Sequence, residues 1–290
     1  MEWHRRDCVG NTMKLYVSVT CSSLEYYEGD SCHLGGAAAA FMTAHWPLNG
    51  AEPGWDVHTS DADSGSALDL SKDGSVTQTR TGPIGASSYF PDNDDERFSI
   101  SGFDWASSAR GAKVATEYAS VTLWMKIVGD TASASDLFHL TTGAGLGYRL
   151  NVETDGKMVA SVQTTDDTTC SLTSTSSLTS AVTRWTHLSM SYNKKGQLTL
   201  YRDGQRDAFV VCQGGANRPI KYSGNIELKI KGRNVLVKEV ATYGRGLQLQ
   251  DVRESYETQL HCQHGDGLVY HMSRYASRVL FFVLFFCFFV

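Results

Sequence analysis

From about residue 44 to residue 260 the chain is written in short runs of period two closed by turn residues, a pattern that leaves little room for anything but strands. In YASVTLWMKIV, Val121, Leu123, Met125 and Ile127 fall on one side and Thr122, Trp124 and Lys126 on the other. In GYRLNVETDGKMVASVQT, Tyr148, Leu150 and Val152 alternate with Arg149, Asn151 and Glu153. An Asp155-Gly156 turn then leads back through Met158, Ala160 and Val162, which predicts a β-hairpin.

The same pattern predicts a three-strand meander in RWTHLSMSYNKKGQLTLYRDGQRDAFVV and a further hairpin in NIELKIKGRNVLVKEVATY. The Gly, Ser, Thr and Asp rich stretches at 50–66, 81–96 and 164–181 read as surface loops. LQLQDVRESYETQL places Leu247, Val252, Tyr256 and Leu260 near one face, so one short helix is expected near the end. With no helical periods between the strands, the class is all-β: an antiparallel two-sheet β-sandwich, or jelly roll, with one short C-terminal helix. The expected organisation is a Cys-containing segment over 1–40, the sandwich over 41–262, and a spacer with an apolar tail over 263–290.

A net charge of -5 provides no cationic excess for a phosphate backbone, so nucleic acid is excluded as the expected partner. Cys8, Cys21, Cys32, Cys170, Cys212 and Cys262 lie in the polar body without any C-x-x-C pair. That usage points to disulfides in an oxidising compartment, with buried free thiols as the alternative. Spacing leaves the connectivity open. Cys170 with Cys212 is the favoured pair, because both lie in the central strand region, and Cys262 is placed to reach Cys21 or Cys32.

The apolar run from Val279 to Val290 is about 12 residues, short of the ~20 of a spanning helix. Small residues at 265–267, a spacer and this tail follow the layout of a lipid-anchor signal, which would put the chain at the cell surface. A weak tail anchor or an altered reading frame are the alternatives. The opening MEWHRRDCVG is polar and is followed by no apolar stretch of signal-peptide length.

AHWPLNG, SVTLWMK, LFHL, GYRLNVETDGKMVASV, RWTHLSMSY, LTLYRDGQ and the closing NIELKI to DVRESYE stretch occur in an order that resembles the laminin G-like jelly rolls of the concanavalin A-like lectin and glucanase group. The resemblance implies an extracellular recognition module for glycans or proteins, often with a rim calcium. Where many relatives carry an acidic residue before the last helix, this chain has Val237-Lys238-Glu239-Val240, placing a cation there.

Asp56, Asp61, Asp63 and Asp69 offer hard oxygen ligands for calcium, the one cofactor expected, and 92–96 is a second acidic cluster. Neither follows the EF-hand spacing. Trp55, Tyr89 and Trp105, in or beside predicted loops, are candidates for a recognition rim. Lys194, Lys195, Arg202 and Arg206 gather around two turns and suit a sulfated glycan. His45, His139 and His187, isolated in strand segments, receive no role.

A glucanase of this group needs carboxylates paired on one strand to flank the glycosidic bond. Glu153 and Asp155 stand two apart, but Asp155 belongs to the turn, and Glu227 has only Lys229 on its side. No G-x-S-x-G elbow occurs. The expected function is therefore non-catalytic binding of a glycan or extracellular protein, with membrane contact through the tail or a lipid anchor. The alternatives are a purely structural or protein-interaction ectodomain and a degenerate glucanase.

Overall fold

The computed structural model describes residues 2–4, 16–18, 41–46, 48, 70–73, 76–82, 85–91, 97–104, 114–128, 135–143, 145–178 and 184–263. In chain order the strands are β1 (Glu2–His4), β2 (Tyr16–Ser18), β3 (Met42–Trp46), β4 (Ser71–Asp73), β5 (Thr77–Gly82), β6 (Gly85–Phe90), β7 (Arg97–Asp104), β8 (Ser120–Ile127) and β9 (Ser135–Thr142). They continue with β10 (Gly145–Val152), β11 (Lys157–Gln163), β12 (Thr169–Ser177), β13 (Thr186–Asn193), β14 (Gln197–Arg202), β15 (Gln205–Val211), β16 (Asn225–Lys231) and β17 (Val235–Tyr243). Helix α1 (Leu249–Gln263) follows.

Two antiparallel sheets make the sandwich. One has seven strands in the order β12-β11-β10-β9-β16-β7-β4, and the other eight in the order β15-β14-β13-β8-β17-β6-β5, with β3 also on β17. β3 and β6 share one flank of β17, β6 pairing Val235–Val237 and β3 pairing Val240–Tyr243. β1 and β2 form a separate pair.

Alternation builds the core as expected. Val121, Leu123, Met125 and Ile127 of β8 meet Tyr148, Leu150 and Val152 of β10 and Met158, Ala160 and Val162 of β11 in one buried cluster. Phe90 and Phe98 bridge the two sheets edge to face at 5.7 Å, and Phe138 stacks on Tyr148 at 5.4 Å.

The turns are local chemistry. In the β13–β14 turn the Asn193 side chain accepts from the Lys195 amide at 2.9 Å, and the Gly196 amide donates to the Asn193 carbonyl at 2.8 Å. Asp203 and Gly204, with φ of 50 and 72°, make the tight β14–β15 turn. Asp203 is pinned there: its amide donates to the His187 carbonyl at 2.8 Å and its carboxylate accepts from the His187 amide at 3.0 Å.

Three local expectations are corrected. NIELKIKGRNVLVKEVATY is no hairpin: β16 pairs with β7 and β9 in one sheet, and β17 pairs with β3, β6 and β8 in the other. Residues 232–234, with Asn234 at a φ of 51°, turn the chain from one layer into the next. The stretch 81–96 contains β6, and 164–181 contains β12, an edge strand of nine residues. An edge strand needs apolar residues only on its inner side, so its Ser and Thr content disguised it.

That edge is fastened to its counterpart in the other sheet. A disulfide joins Cys170 of β12 to Cys212 just beyond β15. Asp207 of β15 accepts from the Thr175 amide at 2.8 Å and from the Ser176 hydroxyl. These links occupy polar groups along two edges that otherwise invite pairing with another chain. Cys8, Cys21, Cys32, the Cys262 side chain and the tail from Val279 lie outside the described residues. Among the described residues no helix is long and apolar enough to cross a membrane.

Candidate functional site

The two sheets differ in what covers their outward faces. On the eight-stranded sheet, α1 lies over β8, β13 and β17. Trp124 stacks on Tyr256 at 5.6 Å, and its indole N–H donates to Gln259 Oε1 at 2.6 Å. His187 packs against both rings, at 5.3 Å from Trp124 and 5.8 Å from Tyr256, with neither ring nitrogen hydrogen-bonded. Burial pushes its imidazole down to about 3.

Beside this group β17 bulges. Val237 and Val240 both enter the core, and Glu239, at a φ of 50°, is the extra residue. The Glu239 carboxylate accepts from His45 Nε2 at 2.7 Å, with both side chains buried. Lys238, opposite Trp124, is fully buried. Burial lowers its ammonium to about 8, against the opposing pull of Glu239. Lys238 is thus buried on the face that α1 covers, and this covered face reads as scaffold.

The seven-stranded sheet has no described helix on its outward face. Cross-strand pairing lines up Ser71, Ser99, Lys229, His139, Arg149, Ser161 and Ser171, one residue from every strand. Their chain neighbours Ile100, Leu228, Leu140, Tyr148, Leu150 and Ala160 are in the core, so alternation puts the whole row on the other face. Lys229 pairs with Glu227 at 2.7 Å, Lys231 with Asp136 at 3.3 Å, and the Ser161 and Ser171 hydroxyls meet at 2.8 Å. Burial holds the His139 imidazole low. Arg149, Lys229 and Lys231 add to that effect, and Asp136 opposes it.

At one end of this face, where β9 begins and β10 and β16 end, a cleft of about 260 Å³ opens. Ser135, Asp136, Arg149, Asn151, Glu153, Lys231, Gly232 and Arg233 line it. Asn151 Nδ2 donates to Glu153 Oε1 at 2.6 Å. This arrangement can receive a hydroxylated or charged ligand.

Of the candidates named from sequence, those among the described residues fall elsewhere. Tyr89 lies within β6, not in a loop, half-buried with its hydroxyl donating to Asn234 Oδ1 at 3.3 Å. Lys194 and Lys195 sit in the β13–β14 turn, whereas Arg202 and Arg206 flank the β14–β15 turn. These turns lie at opposite ends of the six-residue β14, about 20 Å apart at ~3.3 Å per residue. In a meander successive turns alternate ends, so closeness in sequence did not mean a cluster. Arg202 donates to the Ser177 carbonyl at 3.2 Å, and the Arg206 guanidinium lies 4.7 Å over the Phe209 ring. Trp55, Trp105, Asp56, Asp61, Asp63, Asp69 and the cluster at 92–96 lie outside the described residues. Among the described residues no three His, Cys, Asp or Glu side chains converge as a metal site.

Arg149 and Asn151 were legible only as the polar side of β10. The available signal was an Arg-x-Asn-x-Glu alternation between core positions. Their partners Asp136, Lys231 and Arg233 come from distant segments and leave no local trace.

Two antiparallel sheets packed over one core, with the short helix α1 on one outward face, define a jelly-roll β-sandwich of the lectin type. A sequence model of the concanavalin A-like lectin/glucanases superfamily matches residues 101–253, and the chain belongs to that superfamily. No curated protein sequence matches the chain. Among solved structures it is similar to the binding domain of Paraclostridial mosquitocidal protein 1, with 13% identity and a TM-score of 0.56 over 76% of this chain and 52% of that one. It is also similar to the binding domain of botulinum neurotoxin DC solved in complex with rat synaptotagmin II, with 10% identity and a TM-score of 0.57 over 77% and 52%. A third similar structure is of botulinum neurotoxin type C, which depends on interaction with two ganglioside molecules to enter cells, with 11% identity and a TM-score of 0.54 over 77% and 52%. The chain therefore spans about half the length of the structures it matches, and at these identities the likeness is one of fold.

Proposed function

We propose that this chain is an extracellular, non-catalytic recognition module that binds a glycan on the outward face of its seven-stranded sheet. The observation that carries this reading is the polar row across all seven strands, with the cleft at its end, on the one sheet face without a described helix. Sugars present hydroxyls at short intervals, and the half-buried Lys229, His139 and Arg149 in the middle of the row, with Ser71 and Ser171 exposed at its ends, offer matching donors and acceptors.

Hydrolysis would require two carboxylates placed about 5–10 Å apart across a glycosidic bond, one of them available as acid. On this face Asp136 is engaged by Lys231, Glu227 by Lys229 and Glu153 by Asn151, an arrangement suited to holding a ligand. The Cys170–Cys212 disulfide supports an oxidising, extracellular setting. The described fates of similar structures, a synaptotagmin complex for one and ganglioside dependence for another, favour surface ligands over metabolites. The tail from Val279 keeps its reading as an anchor signal, tested by release with a phosphatidylinositol-specific phospholipase.

A glycan array probed with and without EDTA tests the function and its calcium dependence together. Reproducible hits lost in Arg149→Ala support it. Uniform silence favours a second reading, a protein-interaction module, for which the exposed Phe209 and Val211 on edge strand β15 are the supporting observation.

A further inference from the structure

Two residues that line the cleft, both on β10 and two apart, each carry a buried polar atom without a partner: Arg149 Nε and Asn151 Oδ1. Alternation directs both side chains to the outward face, and Asn151 is only 6% exposed. Because Asn151 Nδ2 is committed to Glu153, its Oδ1 is left as a bare acceptor. An unpaired buried group is costly, so two in one cleft point to a ligand that completes them.

Charge selects that ligand. The lining has three cations, Arg149, Lys231 and Arg233, against two carboxylates, Asp136 and Glu153. Lys231 already faces Asp136, and Glu153 already accepts from Asn151. Arg149 makes no ion pair among the described residues, and its planar guanidinium is suited to grip a two-oxygen anion side by side. The cleft, at about 260 Å³, is below the ~300–1,000 Å³ of drug-sized pockets and fits one sugar unit.

Resting on the reading of this face as the ligand face, we infer that the cleft recognises an acidic sugar residue. Its anionic oxygens lie on Arg149, and a neighbouring hydroxyl donates to Asn151 Oδ1. Arg149 itself supplies the positive charge opposite the anion, so this recognition needs no metal ion.

The test is a two-dimensional NMR titration of the full chain with methyl glucuronide, methyl glucoside, glucose 6-sulfate and acetate, each with and without EDTA. Glucuronide and glucoside differ only at the anionic group. Expected is binding of glucuronide, glucose 6-sulfate or both at least tenfold tighter than glucoside, unaffected by EDTA. In Arg149→Gln that preference falls below threefold while the melting temperature holds, and Asn151→Asp weakens binding of the acidic sugar by placing a second negative charge beside it. Tighter binding of glucuronide than of glucose 6-sulfate assigns a carboxylate, and the reverse assigns a sulfate; either supports the inference.

Equal binding of glucoside and the acidic sugars overturns the acidic preference while leaving the glycan face in place. Acetate binding as tightly as glucuronide reduces the cleft to a simple anion site and also overturns it. Loss of binding in EDTA overturns the metal-free mode. Silence toward every sugar removes the glycan reading and this inference together.

Discussion

The indole N–H of Trp124, at the centre of the eight-stranded sheet, donates to the side-chain carbonyl of Gln259 in α1 across 2.6 Å, and both side chains are buried. That single bond ties the last helix to the middle of the sandwich. Gln259→Leu leaves the indole donor buried and unpaired, which costs about 1–3 kcal/mol. Urea denaturation followed by tryptophan fluorescence measures the loss, and a stability equal to wild type refutes the tie.

His187 couples stability to acid. Its imidazole is held at about 3 by burial, against ~6.5 in an unfolded chain. Between these values the unfolded state binds a proton that the native state refuses. Stability is therefore complete above about pH 6.5 and falls as the pH drops toward 3, by roughly 3 kcal/mol at about pH 4.5. His187→Leu, which strands no hydrogen bond, flattens this acid limb. Denaturation midpoints at about pH 7 and about pH 4.5 in both proteins provide the comparison.

The Cys170–Cys212 link closes a loop with a sequence separation of 42 between the free edges of the two sheets. Loop-closure entropy predicts a loss of about 4 kcal/mol on removing it. Cys170→Ser with Cys212→Ser is expected to lower the denaturation midpoint accordingly. Urea denaturation of the wild type and the double variant, both kept oxidised, provides the comparison, and an unmoved midpoint refutes the contribution of this link.

Gly204 is under two constraints. Its φ of 72° is in the left-handed region, and an added Cβ would come within 2.9 Å of the Tyr256 ring. Gly204→Ala is expected to cost about 1–2 kcal/mol from the backbone alone, with a further loss from displacement of Tyr256. A change in near-ultraviolet circular dichroism reports the second effect, because Tyr256 stacks on Trp124.

Much of the fold was legible without coordinates. Alternation separated Val121, Leu123, Met125 and Ile127 from Thr122 and Trp124, and the dipeptides Asp155-Gly156 and Asp203-Gly204 marked their turns, because side-chain direction and turn geometry are set by adjacent residues. The helix was readable from Val252 and Tyr256 for the same reason, but it begins at Leu249, so Leu247, expected on its face, packs from the segment before it. What failed was pairing. β16 and β17 looked like partners because they are close in sequence, yet period two says which way a side chain points and nothing about which strand lies beside it.

The site marks the same boundary. Sequence by itself determined that Arg149 and Asn151 stand on the polar side of one strand. Only the tertiary structure decided that Arg149 shares a row with His139 and Lys229, that Asp136 and Lys231 close a cleft beside it, and that Lys238 and His187 are buried away from water. Local alternation follows from backbone geometry within a few residues, whereas these convergences come from sheet order and layer packing, which bring together segments up to about a hundred residues apart.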